Sequence, residues 1–277
     1  MLALLSTKIF LRFDMYTAKS IRLNRIRNRA NKRYFILPID HGFTMGPIDG
    51  FRSSDDLVGW LPRAEIDAIV AHKGLIQRLV AADALGGFGV IQHINGMSTN
   101  SLMPDRKPLL SSVDHARSLG ADGVSLQLNF NGHNDQENWK LLGSVTDRCA
   151  QIGMPTLLML YDNVECADAD LRIERFAHLL RGAIETGVDI AKIGIPVEDY
   201  HHIIPQASGD IDIVVAGGSK RSLSELETDI DLATAAGAKG LCIGRNIFAH
   251  ENPLRAVGYL NQVVGKAAKL VVGRDYA

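Results

Sequence analysis

The stretch DIAKIGIP, residues 189–196, sets a lysine in the middle of an apolar strand: Ile190 and Ala191 precede Lys192, and Ile193 and Ile195 follow it. A short apolar run bounded by Asp and Pro reads as a strand buried on both faces. An ammonium group inside such a strand loses hydration, which disfavours its charged form and lowers its pKa. A neutral amine is a nucleophile towards carbonyls and forms Schiff bases. The plainer reading is a lysine at a strand end that snorkels outward or pairs with Asp40.

Seven further runs of the same kind surround it: YFILPID, IDAIVAH, GVIQHIN, DGVSLQLNF, PTLLMLY, DIVVAGG and GLCIGR. Between several of them lie segments with helical spacing, such as SSVDHARSLGA, DQENWKLLGSVTDRCAQIG and SLSELETDIDLATAAGA, which carry Ser or Gly at their ends. Gly-Ala or Gly-Val before Asp or Lys marks the helix-to-strand turns at Gly120, Gly187 and Gly237. Eight strands alternating with helices in 277 residues predict a (β/α)8 TIM barrel, an α/β fold, over residues 34–270; a doubly wound open sheet is the competing architecture. No low-complexity linker divides the chain.

Apolar residues make up 46% of the sequence, enough for a sizeable core, and the formal net charge is −1. That balance gives no argument for a nucleic-acid or membrane partner. Cys149, Cys166 and Cys242 lie far apart without metal spacing, which reads as free thiols in a reducing cytoplasm. Residues 1–33 form an N-terminal extension and a basic segment. The order of apolar and basic residues there is wrong for a signal peptide, and either a loosely held extension or a true start at Met15 is expected. Ile21, Leu23, Ile26 and Ala30 make the basic segment an amphipathic helix that caps the barrel rather than a nucleic-acid patch.

In such a barrel the active site lies at the C-terminal ends of the strands. The polar residues there are Asp40-His41-Gly42, His72-Lys73-Gly74, His93 and Asn95, Gln127 and Asn129, Tyr161-Asp162, Lys192, Gly217-Gly218-Ser219-Lys220, and Gly244-Arg245-Asn246. Barrels often hold phosphate in the loops after strands seven and eight. Gly217, Gly218 and Gly244 would let backbone N–H groups approach an anion, and Arg245 would add a charge-assisted contact. Asp40 and Tyr161 are acid/base candidates; each has a simpler reading, as a loop acceptor and a core aromatic. His41 and Lys73 complete the candidate substrate-binding set, with Lys73 equally readable as a surface lysine. His41, His72 and His93 sit on three different strands with no carboxylate motif beside them, so no metal is expected.

Together, ILPIDHGFTMGPIDG, DIAKIGIP, IVVAGGSK and GLCIGRNIFAHENP resemble the archaeal-type class I aldolases, in the superfamily of deoxyribose-phosphate aldolase and archaeal fructose-bisphosphate aldolase. The resemblance runs from Arg22 to Val264 and is strongest towards enzymes that extend aspartate semialdehyde. These are the 2-amino-3,7-dideoxy-D-threo-hept-6-ulosonate synthases and the 2-amino-4,5-dihydroxy-6-oxo-7-(phosphonooxy)heptanoate synthases. It implies Lys192 as the Schiff-base lysine, Tyr161 as general acid/base, Asp40 as its activator, and phosphate at Gly217, Gly218, Gly244 and Arg245. It further implies no cofactor, small-molecule partners (a phosphorylated ketose such as dihydroxyacetone phosphate and a small aldehyde) and a homo-oligomer, a pentamer or decamer. Fructose-bisphosphate cleavage and thiolase-type acyl transfer are the alternatives within the family; an isomerase or a phosphate sensor on the same barrel are those outside its chemistry. Two segments depart from the family pattern. DNVECADAD follows Tyr161 where many relatives have PRG, and GIP follows Lys192 where many have an aromatic residue.

Overall fold

The computed structural model describes residues 17–272. The expected extension ahead of the basic helix lies outside them. Chain order begins with helix α1 (Thr17–Ile26), strand β1 (Tyr34–Pro38), the short helices α2 (His41–Met45) and α3 (Asp55–Val58), β2 (Ala68–His72), α4 (Lys73–Ala81) and β3 (Gly89–His93). It continues through α5 (Val113–Ser118), β4 (Gly123–Phe130), α6 (Asp135–Ile152), β5 (Thr156–Asp162), α7 (Ala169–Glu185) and β6 (Ile190–Ile193). The last turn of the fold is α8 (Tyr200–Ala207), β7 (Asp212–Ala216), α9 (Leu223–Ala235), β8 (Gly240–Cys242), α10 (Arg245–Phe248) and α11 (Pro253–Val272). All eight strands pair in parallel in sequence order, and β8 closes on β1. The architecture is a (β/α)8 barrel, not the open sheet.

Side-chain alternation along the strands divides the core into layers. Tyr34, Ile36, Val70, Ile91, Leu157, Met159, Ile190, Val214 and Cys242 fill the barrel interior. The residues between them, such as Phe35, Leu37, Ile69, Leu158, Ala191 and Ile213, pack outward against the helices in two larger clusters. Register decides where Lys192 points. It pairs with Met159 on β5 and Val214 on β7, both interior residues, and stands two positions after interior Ile190.

The strand-leading aspartates in the turn motifs have a structural task. Asp67 accepts the N–H of Phe35, Asp122 that of Val90, and Asp189 that of Thr156, each from the first turn of the preceding odd-numbered strand. Helix α1 lies across these strand N-termini. Its Lys19 pairs with Asp189 (3.0 Å) and its Arg25 with Asp122 (3.1 Å), and the Arg22 guanidinium donates to the Gly153 carbonyl. Burial pushes the Asp67 carboxyl up to about 6, against the Phe35 N–H that it accepts. Helix starts follow local chemistry: Ser222 and Glu225 form a reciprocal capping box on α9, and Gly153 closes α6 with a left-handed φ of 62°.

Closure of the barrel leans on one backbone approach. Gly240, at φ 152°, faces Tyr34 so closely that a Cβ there would lie 2.0 Å from the Tyr34 carbonyl oxygen. Gly240→Ala is therefore expected to destabilise the fold by at least about 2 kcal/mol, the scale of overpacking plus a disfavoured backbone angle. The urea midpoint of unfolding checks this; an unchanged midpoint would mean that the β8–β1 seam shifts freely.

Candidate active site

Lys192 is 7% exposed, at the floor of an open cavity of about 390 Å³. The cavity walls include Tyr161, His41, Gly217, Gly218, Gly244 and Arg245. Six of the residues singled out from the sequence thus converge with Lys192 on one space. Asp40 does not line this cavity but a neighbouring one with Phe43 and His72, and it reaches the lysine through its charge. Lys73 does not join them: it opens α4, is exposed, and its Nζ donates to the Leu110 carbonyl at 3.0 Å.

The electrostatics of Lys192 differ from the expectation. Burial by itself would push the ammonium down, as the apolar strand suggested, but attraction to Tyr161, Cys242 and Asp40 outweighs it and the pKa is raised above that of an ordinary lysine. Burial pushes the Cys242 thiol up to about 11, so the lasting anion near neutral pH is the Asp40 carboxylate. In the resting protein Lys192 is accordingly an ammonium held charged in part by the field of the Asp40 carboxylate, and forming a nucleophile requires a proton to leave it.

Asp40 stands at the centre of the three histidines. Its Oδ2 lies 3.7 Å from His93 Nε2, and its Oδ1 lies 3.4 Å from His41 Nδ1, which makes no hydrogen bond. The His72 ring meets that of His93 edge-on at 5.0 Å. Burial drives His93 down to about 3 and His41 to about 4, and lowers His72. Burial thus favours the neutral form of all three rings, which stand around Asp40 as dipoles. Burial of Asp40 itself would raise its pKa; the favourable charge interactions with His93, His41, Lys192 and His72 hold it at about 2. Ser125 Oγ lies 2.7 Å from His93 Nδ1. A hydroxyl that donates there fixes the tautomer with Nε2–H directed at Asp40.

Tyr161 is positioned by a glycine. A Cβ at Gly194 would lie 2.6 Å from its ring, so the GIP sequence after Lys192 is the seat of the tyrosine. The segment after Tyr161 is also tied down: Asp162 pairs with Arg175 and Asn163 donates to Asp105.

Across the cavity, the loops after β7 and β8 are joined by Asn246, which is 3% exposed. Its Nδ2 donates to the carbonyls of Gly217 (3.1 Å) and Ser219 (3.2 Å), while its Oδ1 accepts from the Arg221 N–H (2.7 Å). Gly217 admits this approach, since a Cβ would lie 2.9 Å from Asn246 Nδ2. Arg245 donates to the Gly218 carbonyl at 2.9 Å and lines the cavity. The first turn of α9 is occupied by its own Glu225 through the capping box. Asn246 was visible as a strand-end residue, but its role depends on a loop 25 or more residues away. Ser125 and Cys242 escaped notice because nothing in a strand pattern distinguishes a small polar interior residue from filler. Among the described residues no helix is long and apolar enough to cross a membrane.

Comparison with known proteins agrees with this geometry. The DeoC/LacD family aldolase profile matches residues 34–250. The 2-amino-3,7-dideoxy-D-threo-hept-6-ulosonate synthase 1 of Archaeoglobus fulgidus is 34% identical over 247 residues, 89% of this chain and 90% of that protein. The 2-amino-4,5-dihydroxy-6-oxo-7-(phosphonooxy)heptanoate synthase of Streptomyces griseus is 30% identical over 237 residues, 85% of this chain and 86% of its own. Among solved structures, an archaeal fructose 1,6-bisphosphate aldolase superposes with a TM-score of 0.77 at 23% identity, over 89% of this chain and 98% of that one.

The charge balance at Lys192 has a direct check. Asp40→Asn removes the carboxylate that holds the proton on the lysine and leaves burial opposed by less. The Lys192 pKa is expected to fall, so its amine becomes neutral at lower pH than in the wild type. An NMR titration of labelled lysine Nζ groups reads this; a Lys192 pKa that stays put or rises in the variant refutes the charge interaction.

Proposed function

The chain belongs to the DeoC/LacD aldolase family, and we propose that it is a class I member joining dihydroxyacetone phosphate to aspartate semialdehyde through an imine on Lys192. The observation that carries this reading is the placement of one buried amine beside a carboxylate and a phenol, facing glycine-lined loops with an arginine. The two synthases at 34% and 30% identity support the choice of substrates, because one is named for a phosphonooxy product and both for amino-heptanoate or amino-heptulosonate skeletons.

The chemistry follows from the positions. The donor's phosphate is held by the amides of Gly217 and Gly218, by Gly244 and by Arg245, which fixes its ketone carbon over Lys192. Asp40 accepts a proton from the ammonium, and the freed amine adds to the ketone to give a carbinolamine. Tyr161, on the cavity side, protonates the departing hydroxyl, and water leaves as the iminium forms. The Tyr161 phenolate left by that step takes the proton from the neighbouring carbon, and the cationic iminium takes up the electron pair this releases. The resulting enamine attacks the aldehyde carbon, Tyr161 protonates the new alkoxide, and water then releases the product from the lysine. Asp40, neutralised for part of the cycle, returns to its ionised state when the amine is protonated again.

Two measurements test the reading. Borohydride added with dihydroxyacetone phosphate is expected to inactivate the protein irreversibly, with the reduced adduct on Lys192 by peptide mapping, while Lys192→Arg folds but neither traps nor turns over. An adduct on Lys73, or none, removes Lys192 from its role. With aldehydes compared by mass spectrometry of the products, a preference for glyceraldehyde 3-phosphate would shift the reading to fructose-bisphosphate chemistry.

Arg245→Ala is expected to raise KM for the phosphorylated donor roughly ten- to a hundredfold, the loss of one charge-assisted contact of about 1.5–3 kcal/mol, and to leave the acceptor's KM within a few-fold. A rise confined to the acceptor would put the phosphate on the other side of the cavity.

A further inference from the structure

The connection between β3 and α5, residues 94–112, carries a lysine that strand-end reasoning passed over. Lys107 is 6% exposed, and among the described residues no hydrogen bond or ion pair engages its ammonium group. The nearby carboxylate is already occupied. Asp105 Oδ1 accepts from Asn129 and Asn163 at 2.8 Å each, and its Oδ2 accepts from Asn131 at 3.2 Å. These amides belong to the ends of β4 and β5, so the segment is strapped over the tops of both strands. Its other end is pinned to β3: Asn95 Nδ2 donates to the Lys107 carbonyl (3.2 Å), and the Gly96 N–H donates to the Pro108 carbonyl (3.2 Å).

This places the ammonium on the β3–β5 side of the barrel mouth, opposite the β7 and β8 loops around the closed ring of strands. Its charge acts on both Asp40 and His93. Burial lowers its pKa, and Asp105 and Asp40 offset only part of that. A partly desolvated ammonium that makes no hydrogen bond or ion pair is less favourable than one with a partner, and an arriving anion supplies that partner. The lysine thus has the properties of a binding group whose partner comes with the substrate.

We propose that Lys107 binds the carboxylate of the acceptor aldehyde, so that the site grips a doubly anionic product between Lys107 on one side and the Arg245 loops on the other. This rests on the aldolase reading above and adds to it the group that selects a carboxylated acceptor. The competing role is a purely structural one, in which Lys107 stabilises the loop by its charge towards Asp105 and Asp40.

Lys107→Met, close in shape and uncharged, separates these. Relative to wild type, the ratio of kcat/KM for aspartate semialdehyde to kcat/KM for propanal is expected to fall roughly ten- to a hundredfold. A second readout needs no turnover. With inorganic phosphate present to occupy the donor loops, succinate is expected to raise the Tm of the wild type and to leave that of the variant unchanged. The ligand-free variant is expected to melt no lower than the wild type, because it has lost an unpaired buried charge. An unchanged aldehyde ratio, an equal succinate shift in both proteins, or a ligand-free variant that melts several degrees lower overturns the proposal. Borohydride trapping of dihydroxyacetone phosphate on the wild type reports separately on the imine reading, so its failure is distinguishable from that of Lys107.

Discussion

The ammonium of Lys192 and the carboxylate of Asp40 act on each other by charge inside a barrel whose other interior residues are mostly aliphatic. Neither group is tolerable there alone. Burial by itself would push the lysine down and the aspartate up; together the two shifts reverse, and both groups stay ionised. The surroundings of the pair follow from this. Three histidines cluster at Asp40, yet their own burial keeps them neutral, so they supply dipoles without displacing Lys192 as the counterion. His93 in turn leans on Ser125, which extends the arrangement from β1 through β3 to β4. The chemical consequence is that the nucleophile is stored in protonated form beside the base that can release it.

The cavity is built with unequal sides. On the β7 and β8 side, backbone groups dominate, and one buried asparagine holds both loops by three hydrogen bonds. Glycines are needed there because side chains would fill the space that Asn246 and an anion require. On the β3 to β5 side the strand ladders give way to side-chain amides. Asn95, two residues past the end of β3, both donates to and accepts from the backbone of Gln127 and so continues the β3–β4 pairing through its side chain. Asp105 then gathers amides from three asparagines. Walls held this firmly reduce the entropy lost when a flexible ligand is bound between them.

At the opposite end of the barrel the same residue types are used for stability. The aspartates that lead β2, β4 and β6 each accept a backbone N–H from the preceding strand, and two of them also meet cations of α1. Charged side chains thus close the strand N-termini, while the strand C-termini keep theirs directed at the cavity. This polarity matches the general division in such barrels between a stabilising face and a reactive one.

Much of this was legible in the sequence because it is periodic or local. Short apolar runs separated by glycine-marked turns specify eight strands with helices between, and the serine and glycine caps specify where α5, α6 and α9 begin or end. The residues just past each strand could be named, since the mouth of a parallel barrel lies at those positions; His41, Tyr161, Lys192, Gly217, Gly218, Gly244 and Arg245 line one cavity, whereas Asp40 lines a neighbouring one and Lys73 lies at the surface. Tertiary structure decided what no spacing encodes. Lys192 points inward because its register with Met159 and Val214 fixes the face, and its pKa rises because Asp40 arrives from a strand 150 residues away in the chain's order but adjacent in electrostatic reach. Lys73 opens a helix and Lys107 lies in the long connection after β3, and nothing in the sequence around either sets its surroundings. One donates to a carbonyl at the surface; the side chain of the other is largely buried and makes no hydrogen bond or ion pair among the described residues. Composition and periodicity constrain which face of an element is apolar, but the charge state and accessibility of a single polar side chain depend on groups brought to it from other strands.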